Sequence, residues 1–237
     1  MKKTVLVTGG SRGIGRACCE LFAQKGFNVV LNYNKSGKEA MEICGKYGCF
    51  PVRADVSKRS EVEEMSRLVG EKFGYVDVLV NNAGVAKQLL FSDIDEEEWD
   101  RVFDTNVKGT YLVTHAFLPG MIHNKRGSIV NISSVWGITG ASCEVHYSAS
   151  KGAVIAFTKA LAKEVAPSGI SVNCVAPGVI DTEMNSSFGK EDMEYILEDI
   201  PSARVGKASE IAECVFFLAH DRYITGQVIS PNGGMVI

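Results

Sequence analysis

Tyr147 and Lys151 stand four residues apart in Tyr147-Ser148-Ala149-Ser150-Lys151, within a segment whose apolar residues repeat at helical spacing. That spacing puts a phenol and an ammonium on one face of a helix. A phenol titrating near its ordinary value of about 10 is a poor proton shuttle at neutral pH. A neighbouring cation favours the phenolate and lowers that value, so the pair reads as an acid–base couple. A second constellation, Thr8-Gly9-Gly10-Ser11-Arg12-Gly13-Ile14-Gly15, lies between a short β-branched run and a helical pattern. Glycines there let the backbone turn tightly and approach a diphosphate, while the following helix N-terminus supplies N–H donors and positive potential. These are the requirements of a dinucleotide site.

The elements that would position these groups alternate along the chain. Thr4–Thr8, Asn28–Asn32, Val76–Val80, Ser128–Ile132 and Ile170–Val175 read as strands. Ile14–Lys25, Glu61–Phe73, Trp99–Phe117 and Val145–Val165 carry apolar residues three and four apart and read as helices. The alternation predicts an α/β fold, a doubly wound, Rossmann-like parallel sheet with helices on both faces. No linker, charge block or repeat interrupts it, so residues 1–237 are expected to form a single domain. The acidic run Asp93–Glu98 is expected to open the helix that follows, where carboxylates suit the macrodipole. Residues 181–200 have the weakest pattern and follow a strand directly, which makes them a candidate substrate lid.

Composition narrows the function further. With 25 basic and 28 acidic residues, for a net charge of −3, the chain has no basic excess to suit nucleic acid. No stretch approaches the roughly 18 apolar residues of a membrane span. Met1-Lys2-Lys3 leads only into Val5, Leu6 and Val7 before Gly9, too short for a signal peptide. The seven cysteines are odd in number, scattered and without paired CxxC motifs, and the histidines lack ligand-like spacing. The expectation is a reduced, cytoplasmic protein without a metal site.

The glycine turn is also where the chain begins to resemble the short-chain dehydrogenases/reductases, and the resemblance runs on in order. It includes Asp55-Val56 after the third strand, Asn81-Asn82-Ala83-Gly84 after the fourth and Pro177-Gly178 after the sixth. The resemblance implies that Gly9, Ser11, Arg12, Gly13, Ile14, Gly15, Asp55, Val56, Asn82, Ala83, Gly84, Tyr147, Lys151, Pro177, Gly178, Ile180 and Thr182 hold a nicotinamide dinucleotide. Where NAD-specific folds place an acid after the second strand, this chain has Tyr33, with Arg12 and Lys35 as nearby cations. That arrangement favours NADPH. The resemblance further implies four roles. Tyr147 is the general acid, Lys151 lowers its pKa, Ser134 polarises the carbonyl, and Asn106 maintains a proton relay.

Within the family, overall likeness is to bacterial 3-oxoacyl-(acyl-carrier-protein) reductases. It is carried by Val130–Ser134, Ala176–Met184 and Tyr223–Gln227. That implies an NADPH-dependent enzyme, usually a homotetramer built through the helices Trp99–Phe117 and Val145–Val165, acting on a carrier-bound 3-oxoacyl thioester. Three features differ. Ser168 stands where arginine often meets the acidic carrier, leaving Lys125 and Arg126 for that face. Residues 181–200 hold seven acids against one base. Glu144 replaces a common glutamine three residues before Tyr147. An acid there favours a cationic substrate. Gly140–Val145 also resembles reductases of the 5-aminopentanone modification on elongation factor P. Ser134, Glu144, Tyr147, Met184 and Phe188 are the expected substrate contacts. A non-catalytic NADPH-binding sensor is the alternative of another class, but it would have no need of the Tyr147–Lys151 pair.

Overall fold

The computed structural model describes residues 2–183, 189–220 and 223–237, with the side chains of 190–192 left undescribed. Strands β1 (Thr4–Val7), β2 (Asn28–Tyr33), β3 (Phe50–Arg53), β4 (Val78–Asn81), β5 (Gly127–Ile132) and β6 (Ile170–Val175) alternate with helices. These are α1 (Gly13–Gln24), α2 (Gly37–Tyr47), α3 (Arg59–Phe73), α4 (Glu96–Phe103), α5 (Gly109–His123), α6 (Trp136–Thr139) and α7 (Val145–Val165). The chain then forms β7 (Ile180–Asp181), α8 (Lys190–Glu198), β8 (Gly206–Lys207), α9 (Ala208–His220) and β9 (Val228–Ile229). Among the described residues the main sheet has seven strands in the order β3-β2-β1-β4-β5-β6-β9, every neighbour parallel. β7 and β8 pair separately. No helix among the described residues is long and apolar enough to cross a membrane.

Burial of the sheet on both faces explains why its strands read as nearly continuous apolar runs. Val5, Val7, Val29, Leu31, Val78, Val80, Val130 and Ile132 pack toward α1 and α9. The residues between them, Leu6, Val30, Leu79 and Ile129, pack on the opposite side, with Met65 and Val69 of α3 and Val113 and Phe117 of α5. Topology fixes the crevice. The chain winds outward from β1 in one direction and from β4 in the other, so a ligand cleft opens above their carboxyl ends. Thr8 closes this switch point: its hydroxyl accepts from the N–H groups of Asn82 and Ala83, both at 3.0 Å.

The expected helix over Trp99–Phe117 is a correction. Helix α4 ends at Phe103, a π turn spans Asp104–Lys108, and α5 begins at Gly109. Asn106 sits within this turn, buried, with its amide bonded to the Val85 backbone. Such local widening is often found at functional sites. The acidic run does open a helix, with Asp95 accepting from Glu98 N at 2.7 Å. Cys18, Cys19, Cys49 and Cys174 are buried and the other three half-buried, all as free thiols.

Candidate active site

The glycine turn forms a cradle at the head of α1. Gly9 and Gly13 take φ of +62° and +50°, in the left-handed region that favours glycine. A Cβ at Gly15 would strike the Gly9 carbonyl and the Asn82 amide, so α1 approaches the turn as closely as its backbone permits. Among the described residues no side chain caps α1 and no acid lies in its first turn, leaving those N–H groups for an anion. Gly13 lies against Thr182, and Ile180 is buried in β7 just before it. Gly178 passes close to Asn232, and its N–H bonds the Pro231 carbonyl at 3.0 Å. These features fit a dinucleotide diphosphate.

Several predicted cofactor residues meet around this cradle in distinct ways. Asn82 Nδ2 donates to the carbonyls of Thr8 and Gly9 at 2.9 and 3.1 Å, so its side chain holds the turn in shape. Asp55 accepts from Ser57 N and Oγ at 3.0 and 2.7 Å, and Val56 is buried beside Gly109. Tyr33 closes β2, and Lys35 is exposed beyond it. Arg12 pairs with Glu183 at 2.7 Å, both exposed, so a 2′-phosphate approaching Arg12 meets an existing partner. Sequence reasoning missed Arg53, which lies directly across from Tyr33 in the β2–β3 register. It also missed Asn232, whose amide ties the C-terminal segment together beneath Gly178.

The predicted catalytic side chains also converge. Ser134 follows β5, and Tyr147 and Lys151 project from the first two turns of α7; all three are buried. The Ser134 hydroxyl accepts from Trp136 N at 3.2 Å and lies near enough to the Tyr147 phenol to oppose the rise in its pKa. Lys151 Nζ donates to the Ile132 carbonyl at 2.9 Å and lies 5.6 Å from the centre of the Tyr147 ring. Gly84 faces both Lys151 and Asn106; a Cβ there would lie 3.3 Å from Lys151 Nζ and from Asn106 Oδ1. A bulkier residue would separate the two groups.

Burial pushes Tyr147 up to about 12, the nearby Ser134 hydroxyl opposes this, and the charge of Glu144 adds to it. Burial brings Lys151 itself down to about 8, and its ammonium is directed at a backbone carbonyl. Desolvation is the largest cause for both groups, leaving a phenol that holds its proton beside an amine that releases one more readily.

Glu144 caps this corner. It is nine-tenths buried, its Oε1 accepts from Gln88 Nε2 at 3.3 Å, and burial raises its pKa. Among the described residues no cation pairs with it. His146 faces away from the phenol, toward Glu98 of α4 at 3.6 Å. The expected substrate residues Met184 and Phe188 lie outside the described residues. Of the acids in 181–200 whose side chains are described, Asp181, Glu194, Glu198 and Asp199 are exposed and Glu183 pairs with Arg12. Arg126, expected to serve a docking face, is committed to Asp77 at 2.7 Å, whereas Lys125 is exposed.

Comparison with known proteins decides the family. Residues 3–193 match the short chain dehydrogenase family model. The chain is a short-chain dehydrogenase/reductase. It is 44% identical over 242 residues to a 3-oxoacyl-(acyl-carrier-protein) reductase of Staphylococcus epidermidis, covering 99% of each chain. The corresponding reductase of Thermotoga maritima is 43% identical over 243 residues, covering 99% of this chain and 98% of the relative. An uncharacterized oxidoreductase of Bacillus subtilis is 42% identical over 239 residues, covering 99% of each. As a short-chain dehydrogenase/reductase the protein is an oxidoreductase, and its parallel sheet is the family's Rossmann-like domain.

Proposed function

We propose that this oxidoreductase is an NADPH-dependent carbonyl reductase whose substrate is a 3-oxoacyl thioester carried on acyl carrier protein. The observation that carries the reading is the buried Tyr147 phenol, with Ser134 buried nearby and Lys151 following one turn later on the same helix. When bound, NADPH supplies the hydride. Ser134 orients the ketone oxygen and polarises it. Tyr147, held protonated by burial, gives its proton to that oxygen as negative charge develops. Lys151 binds on the cofactor side and supplies the replacement proton, which burial makes it release more readily. Asn106 holds the relay open behind Lys151. Gly9, Gly13, Gly15 and the α1 N-terminus receive the diphosphate. Arg12, Lys35 and Arg53 are the cations available to a 2′-phosphate.

This reading sets a sign for pH. Tyr147 stays protonated well above neutrality, so Lys151 is the relay member that titrates first. The rate of reduction at saturating substrate is expected to fall as pH rises through about 8, because the protonated amine is lost. A profile flat from pH 6 to 10 would remove Lys151 from the proton path.

A second substrate reading is favoured by one observation: Glu144 is a buried carboxyl one turn from Tyr147 without a cationic partner among the described residues. A ketone bearing an ammonium, such as the 5-aminopentanone group on elongation factor P, would satisfy it. Rates with a short 3-oxoacyl thioester and with an amino-ketone, for the parent enzyme and Glu144→Gln, separate the readings. The substitution is expected to lower kcat/KM for the amino-ketone about tenfold, equivalent to ~1.4 kcal/mol, and to leave the neutral thioester within about twofold. Equal effects on both would sink the electrostatic argument. Parent turnover confined to the amino-ketone would displace the thioester reading.

Cytoplasmic location and a homotetramer built through α5 and α7 belong to the same proposal and rest on the family likeness. Tyr111 and Ile122 are exposed apolar side chains on α5 that such an assembly could cover. The candidate lid over 181–200 is retained as a proposal for its described portion, α8.

A further inference from the structure

Between the two residues that bracket it, Tyr147 and Lys151, helix α7 carries a serine whose hydroxyl is not accounted for by the roles above. Ser150 is completely buried. Its hydroxyl donates to the Tyr147 carbonyl at 2.7 Å, a local bond of a kind common in helices. That bond consumes its proton and leaves its lone pairs facing outward. Asn106 Nδ2, from the π turn on another part of the chain, donates to the same oxygen at 3.0 Å.

The Asn106 amide is thus held from two sides. Oδ1 accepts from Val85 N at 2.8 Å and Nδ2 donates to Val85 O at 3.0 Å, a reciprocal pair that selects one orientation of the amide. This pair fixes Asn106 against the loop after β4, but supplies no link to the helix bearing Tyr147 and Lys151. Ser150 supplies that link. The next residue on the helix is Lys151, whose Nζ and Asn106 Oδ1 both face Gly84. One turn of α7 therefore delivers the ammonium and anchors the amide that faces it.

We propose that Ser150 is a positioning residue for the proton relay, anchoring Asn106 and its turn to the helix that bears Lys151 through its hydrogen bond to Asn106 Nδ2. The proposal rests on the carbonyl-reductase reading and on the relay role of Asn106 within it. Among the described residues the Ser150 hydroxyl bonds the Tyr147 carbonyl and Asn106 Nδ2, inside the fold. Its removal acts through Asn106, which distinguishes it from a residue that merely packs α7.

A double-mutant cycle tests this. Ser150→Ala, Asn106→Ala and the double variant are compared in NADPH-dependent reduction of a carbonyl substrate that the parent turns over, with NADPH affinity measured by fluorescence. Ser150→Ala is expected to lower kcat about tenfold, with KM and NADPH affinity within about twofold of the parent. In the Asn106→Ala background it should have less than about a twofold further effect, because the group it positions is gone. Ser150→Ala activity within twofold of the parent, or a loss that multiplies that of Asn106→Ala, would overturn the proposal. Full activity in Asn106→Ala would instead contradict the relay reading on which it rests. If Ser150→Ala does not bind NADPH, the near-isosteric Ser150→Cys takes its place under the same criteria.

Discussion

Tyr147→Phe is expected to lower kcat for carbonyl reduction by about 10²–10⁴-fold while NADPH affinity stays within about twofold. A thousandfold loss corresponds to ~4 kcal/mol of transition-state stabilisation. The size of the effect follows from the position of the phenol. It is buried, burial holds its proton, and Ser134 is buried nearby. Phenylalanine keeps the ring that packs there and removes only the proton donor, so the fold should persist. Ser134 remains to polarise the carbonyl, which is why some residual rate is expected. Retention of more than a tenth of parent activity would show that the proton comes from another group. A parallel loss of NADPH affinity would show that the phenol acts mainly in binding.

Gly15→Ala is expected to remove NADPH binding at least tenfold and to destabilise the fold by roughly 1–3 kcal/mol, the usual cost of forcing atoms into a filled space. The added methyl would meet the Gly9 carbonyl and the Asn82 amide, neither of which can yield cheaply. Gly9 already sits at positive φ, and Asn82 Nδ2 is engaged by the carbonyls of Thr8 and Gly9. Making room for the methyl therefore opens the turn or breaks its clamp. Gly45 provides the contrast: a Cβ there meets nothing within 4 Å, and Gly45→Ala inside α2 should leave NADPH affinity unchanged. NADPH titration and urea denaturation of the two variants check this. Unchanged affinity in Gly15→Ala would mean that the cradle is not where the diphosphate rests.

Much of this arrangement was legible because it depends on local pattern. Strands buried on both faces betray themselves as apolar runs, and α7 was found with its observed bounds because its helical period runs from Val145 to Val165. The π turn was not legible. It coincides with a bond between Asn106 and Val85, 21 residues apart, which the apolar period over Trp99–Phe117 does not show. Ser150 was hidden for the same reason, since only the fold brings Asn106 to it. Arg53 escaped notice because its place beside Tyr33 is set by strand register. Spacing shows a cation near Tyr147 but not the desolvation that burial imposes on the phenol. The pairing of Arg12 with Glu183 likewise depends on how β7 returns to the head of α1.

The central claim is that this chain moves hydride from NADPH to a ketone carbon. The most direct measurement is a single turnover with NADPH deuterated at the transferable position and a short 3-oxoacyl thioester, followed by mass spectrometry of the product. The account predicts a 3-hydroxyacyl thioester carrying one deuterium, absent when Tyr147→Phe is used over the same interval. Tight NADPH binding with no deuterium delivered to the thioester, nor to an amino-ketone tested in its place, would contradict the carbonyl-reductase reading and leave a nucleotide-binding protein without this chemistry.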